Sequence, residues 1–193
     1  FGAIAATNAL SDVYAMGGRP EVALSFAGFP SDKLPLTVLA EILAGMAEAC
    51  LRARCAIVGG HTIADAEPKA GLAVVGSVDP TKVWSQRSAR EGQVLVLTKP
   101  LGTGIVGQAI RAGKAPESLI AEALAQMLTL NDVACEIGLA VGATSCTDVT
   151  GFGLAGHLLE MCRGSRLAAR VALDDVPLIA EAASFARDGI VTG

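Results

Sequence analysis

The apolar residues of this chain are parcelled into short pieces, and that parcelling constrains the fold more than any other feature. Hydrophobic residues make up 52% of the sequence, yet no apolar run reaches the roughly 18 residues that a membrane-crossing helix requires. Gly and Pro cut the apolar stretches to helix and strand length instead, in an alternation that reads as an α/β (α+β) fold. Charged residues are 18% of the chain, far from the composition of disordered segments. At 193 residues, about 70% of the unfolded surface can be buried, so a core needs neither disulfides nor a structural metal.

Periodicity predicts a helix over residues 3 to 15, a strand over 21 to 28 and a long helix over 36 to 54 that starts after Pro35. A short strand, 55 to 58, is expected to stop at Gly59-Gly60, with a loop to Pro68 and a strand over 71 to 78. A polar stretch then leads to a strand at 93 to 98 and helical segments over 103 to 140. Beyond these, strands are expected at 142 to 148 and 166 to 173, and helices at 151 to 162 and 178 to 187. The reading divides the chain into an N-terminal lobe, 1 to 78, and a C-terminal lobe, 79 to 193. The first residue is Phe1 inside a helical pattern, so the chain is expected to be a fragment, open at its far end as well.

Fifteen basic residues against nineteen acidic ones give a net charge of −4, with no basic cluster interleaved with aromatics. Nucleic acid and anionic membranes are therefore poor partners. The five cysteines are odd in number, dispersed and never spaced as CxxC, which argues against a disulfide framework or a zinc knuckle and for a reducing cytoplasm.

Three constellations could carry chemistry. On the first helix Thr7, Asn8, Ser11 and Asp12 fall within an arc of about 140°. This stripe lacks the Lys, Arg and Glu of a solvated face, so Asp12 is either a surface acid or an acid pointed at something positive. The second is Gly59-Gly60-His61-Thr62, where paired glycines permit close backbone approach and His61 and Thr62 offer donors for phosphate or ribose oxygens; an ordinary turn is the alternative. The third is Thr147-Asp148-Val149-Thr150-Gly151-Phe152-Gly153-Leu154-Ala155-Gly156-His157. Here a carboxylate stands beside a glycine-rich helix start, a pairing suited to a magnesium-phosphate complex, although Asp148 could equally cap the helix. His157 reads as a satisfied core histidine.

The segment Gly102-Thr103-Gly104-Ile105-Val106-Gly107 matches GxGxxG, but the acid expected about 20 residues on falls at Glu122 within a helical pattern, so it reads as a turn into a helix. No P-loop and no HExxH occur.

Taken together, NALSDVYAMGGRP (8 to 20), VGGHT (58 to 62), LTKPLGTG (97 to 104) and TDVTGFGLAGH (147 to 157) resemble the selenophosphate synthetase (selenide, water dikinase) family over the full length. The resemblance implies the two-lobed ATP-binding fold of the aminoimidazole ribonucleotide synthetase-like superfamily. It implies that Asp12 and Asp148 ligate Mg²⁺, that Asp12 also faces the nucleotide, that Gly60, His61 and Thr62 contact ATP, and that Asn8 is a further contact. It also implies a cytoplasmic homodimer, the sheet of one N-terminal half joining its mate's in a barrel and each nucleotide site assembled across the pair. The implied reaction makes selenophosphate, AMP and phosphate from ATP, selenide and water.

The family's selenium-handling Cys or selenocysteine and its catalytic Lys would lie upstream of Phe1. None of the five cysteines present is assigned that role, and this stretch alone is expected to be inactive. Two rival readings are another ATP-dependent enzyme of the superfamily and a non-catalytic ATP-binding paralogue.

Overall fold

The computed structural model describes residues 1–192. Helix α1, Gly2–Tyr14, leads into strand β1, Arg19–Phe29; α2, Leu36–Arg52, crosses over to β2, Ala56–Ala64; and β3, Lys69–Ser77, completes a mixed three-stranded sheet of order β2-β1-β3. β1 pairs parallel with β2 and antiparallel with β3, as a crossover helix between β1 and β2 demands. α2 ends in a Schellman closure: Cys55 N–H donates to the Cys50 carbonyl at 2.9 Å and Arg54 N–H to that of Leu51 at 3.1 Å, with Arg54 at φ 56°. This turns the chain directly into β2.

The inner face of the sheet packs on α1 and α2. Leu10 and Met46 are completely buried there, each contributing about 1.5–3 kcal/mol by leaving water. Trp84 and Cys135, from the second half of the chain, belong to the same core. Trp84 N–H donates to the Met16 carbonyl at 3.0 Å, which ties the segment after β3 to the end of α1.

The second half contains α3, Thr103–Arg111; α4, Glu117–Leu128; α5, Asp132–Ala140; α6, Gly153–Ser165; and a short α7, Ala182–Arg187. Val106, Leu119, Ala123, Ile179 and Ala182 form a smaller core between α3, α4 and α7. Gly102, at φ 124°, caps α3 so close to α7 that a Cβ would lie 2.7 Å from the Ala182 Cβ. Close packing therefore accounts for the first glycine of the GxGxxG match.

Several expectations are corrected. The strand expected to stop at Gly59-Gly60 continues as β2 to Ala64, because parallel pairing with β1 persists through Gly60 opposite Ser25 and Thr62 opposite Ala27. Glycine suits that register, since a Cβ on Gly60 would stand 2.3 Å from the Ser25 carbonyl oxygen. Residues 93 to 98, 142 to 148 and 166 to 173 form no strand among the described residues. Their β propensity is real, but a strand needs a hydrogen-bonded neighbour. Val94 and Val96 remain 84% and 79% exposed. The final helix is shorter than expected because Leu178 bridges to Leu101 in extended conformation before α7 begins.

Candidate functional site

Asp12 lies in the last turn of α1, a turn without a basic residue. A carboxylate there faces the negative end of the helix dipole, which costs about 0.3–1 kcal/mol. The stripe seen in the sequence is split by the fold: Thr7 and Ser11 are buried against neighbouring elements, while Asn8 and Asp12 are exposed.

Asp148 lies on the irregular segment between α5 and α6. It does not cap α6, whose first turn has Phe152 at the cap position and no side-chain capping bond. It lines the same cleft as Asp12. Loss of hydration, then the negative charge of Asp148 and the contact between the two groups, raise the Asp12 carboxyl above the ordinary aspartate value. Two acids from opposite halves of the chain thus converge with no basic side chain in salt-bridge contact with either among the described residues. Facing like charges, one of them at a helix C-terminus, fit a hard cation, which oxygen ligands hold with substrate phosphates completing the shell.

The acids line one wall of an open cleft of about 560 Å³ whose other walls include Met16, Trp84, Gln86, Arg87, Cys146 and Thr147. Burial, with Cys135 and Asp148 nearby, pushes the Cys146 thiol up to about 11, so at neutral pH it is protonated and a poor nucleophile. Arg87 gives the cleft a positive charge suited to phosphate oxygens. Gln86 and Arg87 were not singled out from the sequence, where they sit in a polar stretch. The one available signal was the chain's single Trp, at position 84, embedded in that stretch.

His157 is half-buried beside the loop instead of in the core. Its Nε2 accepts the Thr150 N–H at 3.1 Å and its ring stands 5.5 Å from that of Phe152. It therefore braces the loop that leads away from Asp148.

The remaining candidates lie elsewhere. Gly60, His61 and Thr62 are exposed on β2, an edge strand, and do not line the cleft within one chain. Asn8 is exposed one turn before Asp12 and is not a lining residue either. The outer face of the same sheet is apolar and open: Leu24, Phe26 and Val75 are 51%, 41% and 63% exposed.

Comparison with known proteins finds relatives of the chain. The model of the AIR synthase related protein N-terminal domain matches residues 1–78, and that of the C-terminal domain matches residues 90–191. The selenide, water dikinase of Myxococcus xanthus (strain DK1622) is 52% identical over 196 residues, covering 100% of this chain and 55% of the relative. That of Geobacter sp. (strain M21) is 51% identical over 191 residues, covering 99% and 56%. That of Burkholderia ambifaria (strain MC40-6) is 45% identical over 193 residues, covering 100% and 54%. The chain thus spans about half the length of the curated relatives it matches.

Among solved structures, the hydrogenase maturation protein HypE in complex with ATP superposes with a TM-score of 0.85 at 22% identity, covering 99% of this chain and 58% of that one. Thiamine monophosphate kinase from Aquifex aeolicus gives 0.79 at 19% identity, covering 97% and 65%. At such identities the likeness is one of fold.

Proposed function

This chain belongs to the AIR synthase related protein family, and on that premise we propose that it carries part of a cytoplasmic enzyme that makes selenophosphate from selenide, ATP and water, releasing AMP and phosphate. The observation that carries the reading is the convergence of Asp12 and Asp148 in one cleft from the two halves of the chain. Identities of 45–52% to proteins named selenide, water dikinase favour selenide over the substrates of the more distant structural neighbours.

In this reading Asp12 and Asp148 hold Mg²⁺. When bound, the ion offsets the charge of the triphosphate and of the transferring phosphoryl group. The chain's own residues bind and orient. The two carboxylates supply oxygen ligands, and Arg87 offers its guanidinium to phosphate oxygens across the cleft. Trp84, buried with its ring beside Gly17 and Gly138, forms part of the cleft wall.

The nucleotide site is proposed to be completed by a second copy. Gly60, His61 and Thr62 do not line the cleft of their own chain but are exposed on an edge strand, where they can serve the partner's ATP, with Asn8 a further contact. The open apolar face formed by Leu24, Phe26 and Val75 supports pairing of two sheets, since an apolar sheet face ordinarily packs against another layer. Proposed lobes run over 1 to 78 and 79 to 193. No helix among the described residues is long and apolar enough to cross a membrane.

The test is product analysis on the full-length protein with ATP and selenide. Selenophosphate with equimolar AMP and phosphate supports the reading, whereas ADP as final nucleotide product, or turnover indifferent to selenide, rejects it. Phe26→Asp should convert a dimer to a monomer by light scattering; a wild-type monomer would remove the shared site.

A further inference from the structure

Each acid of the pair follows a hydroxyl residue in sequence, Ser11 before Asp12 and Thr147 before Asp148, and each of those hydroxyls is held by a side-chain amide from a distant element. Asn131 Nδ2, at the start of α5, donates to Ser11 Oγ at 2.7 Å across 120 residues of sequence. Gln86 Nε2 donates to Thr147 Oγ1 at 3.1 Å across 61 residues. We propose that Asn131 and Gln86 are positioning residues that set how far apart the Asp12 and Asp148 carboxylates stand, and so how well the pair holds a divalent cation.

Two like charges in one cleft drive their carriers apart unless something restrains them. α1 is a rigid carrier, but its position relative to the second half depends on what crosses between them, and the Asn131–Ser11 bond does so one residue from Asp12. Ser11 is only 7% exposed, so its hydroxyl has little water to turn to if the amide is removed.

The loop that carries Asp148 has no ladder or helix of its own. It depends on side-chain bonds: Thr147 to Gln86, and Ser145 Oγ donating to the Ser85 carbonyl at 2.7 Å. Gln86 is in turn anchored by its own carbonyl, which accepts the Ser165 hydroxyl of α6 at 3.1 Å. The Asn131 side is braced as well, with Arg52 Nη2 donating to the Leu128 carbonyl at 3.2 Å and Lys99 Nζ to that of Thr129. Both amides thus stand on fixed ground, as groups that orient ligands must.

This inference rests on the proposed cation role of the acid pair, and the experiment separates the two. Mn²⁺ alone, which carboxylates bind as they do Mg²⁺, is titrated into the full-length protein and its free signal followed by electron paramagnetic resonance. Asn131→Ala and Gln86→Ala should each weaken Mn²⁺ binding about 10- to 100-fold, the usual loss when groups that orient ligands are removed.

Thr147→Val should match Gln86→Ala, and the double variant should be no worse than either single one, because both remove the same bond. Thr147→Ser, which keeps the hydroxyl, should bind as wild type. A merely structural role would lower Tm without changing the affinity of the folded protein, so each variant's thermal unfolding is recorded alongside. If Asn131→Ala fails to fold, the Thr147→Val and Thr147→Ser pair carries the test alone. Binding abolished in Asp12→Asn and Asp148→Asn but unchanged in Thr147→Val overturns this inference only; a wild type that binds no Mn²⁺ overturns the cation site and the inference together.

Discussion

The two acids reach one cleft from backbones of opposite character. Asp12 rides on α1, which buries Ala6, Leu10 and Tyr14 in the main core; Asp148 rides on a loop between α5 and α6 that owes its shape to side-chain bonds with the 85–86 segment. On the helix, position follows from hydrophobic packing spread over many contacts. On the loop, position follows from a few polar bonds, each open to loss. The contrast predicts that damage to the core packing of α1 appears as lost stability, whereas damage to the polar bonds beside either acid, Asn131 to Ser11 or Gln86 to Thr147, appears as lost ligand affinity in a protein that still folds.

The largest effect tests whether the acids are equal despite their different supports. Asp12→Asn and Asp148→Asn should each lower kcat/KM for ATP-dependent selenophosphate formation by about 10²–10³, the scale on which a preorganised charge contact acts. A large loss in one and none in the other would break the comparison.

Next comes the support of α1. Leu10→Ala should destabilise the protein by about 2–5 kcal/mol in denaturant unfolding, because the side chain is completely buried and its space cannot refill.

The charge of the pair is smaller in effect and depends on pH. The Asp12 carboxyl is raised in the folded protein, by loss of hydration and then by Asp148, so between the ordinary aspartate value and the raised one the folded state binds more protons than the unfolded state. Without divalent cation, stability should therefore fall as pH climbs through that window. Asp12→Asn should raise Tm above it and leave Tm unchanged well below it. Saturating Mg²⁺ should cancel the difference, and calorimetry at several pH values reads all three.

The smallest effect is expected at the exposed end of the loop. There Thr144 exchanges hydrogen bonds with Gln93 at 3.0 and 3.2 Å, and Thr144→Ala should change unfolding free energy by no more than about 0.5 kcal/mol.

What the sequence disclosed follows the same division. The α1 pattern and the strand after it were legible because periodicity is local. So were both acids, because Asp12 and Asp148 lie in short motifs. β2 was cut short at Gly59-Gly60 because glycine pairs announce turns, whereas here Gly60 permits close approach to Ser25, which no local rule reveals. The segments at 93 to 98, 142 to 148 and 166 to 173 have strand composition, but composition carries no information about whether a pairing neighbour exists. Asn131 and Gln86 were invisible for a related reason: each acts on a hydroxyl many residues away, and a single sequence does not show which amide meets which hydroxyl.

The most direct test of the account is a crystal structure of the full-length protein with Mg²⁺ and a non-hydrolysable ATP analogue. The account predicts one cation with an oxygen of Asp12 and an oxygen of Asp148 each about 2.0–2.1 Å away and phosphate oxygens in the same shell. A bound nucleotide whose metal ions touch neither carboxylate, or an acid pair turned away from the phosphates, would contradict it.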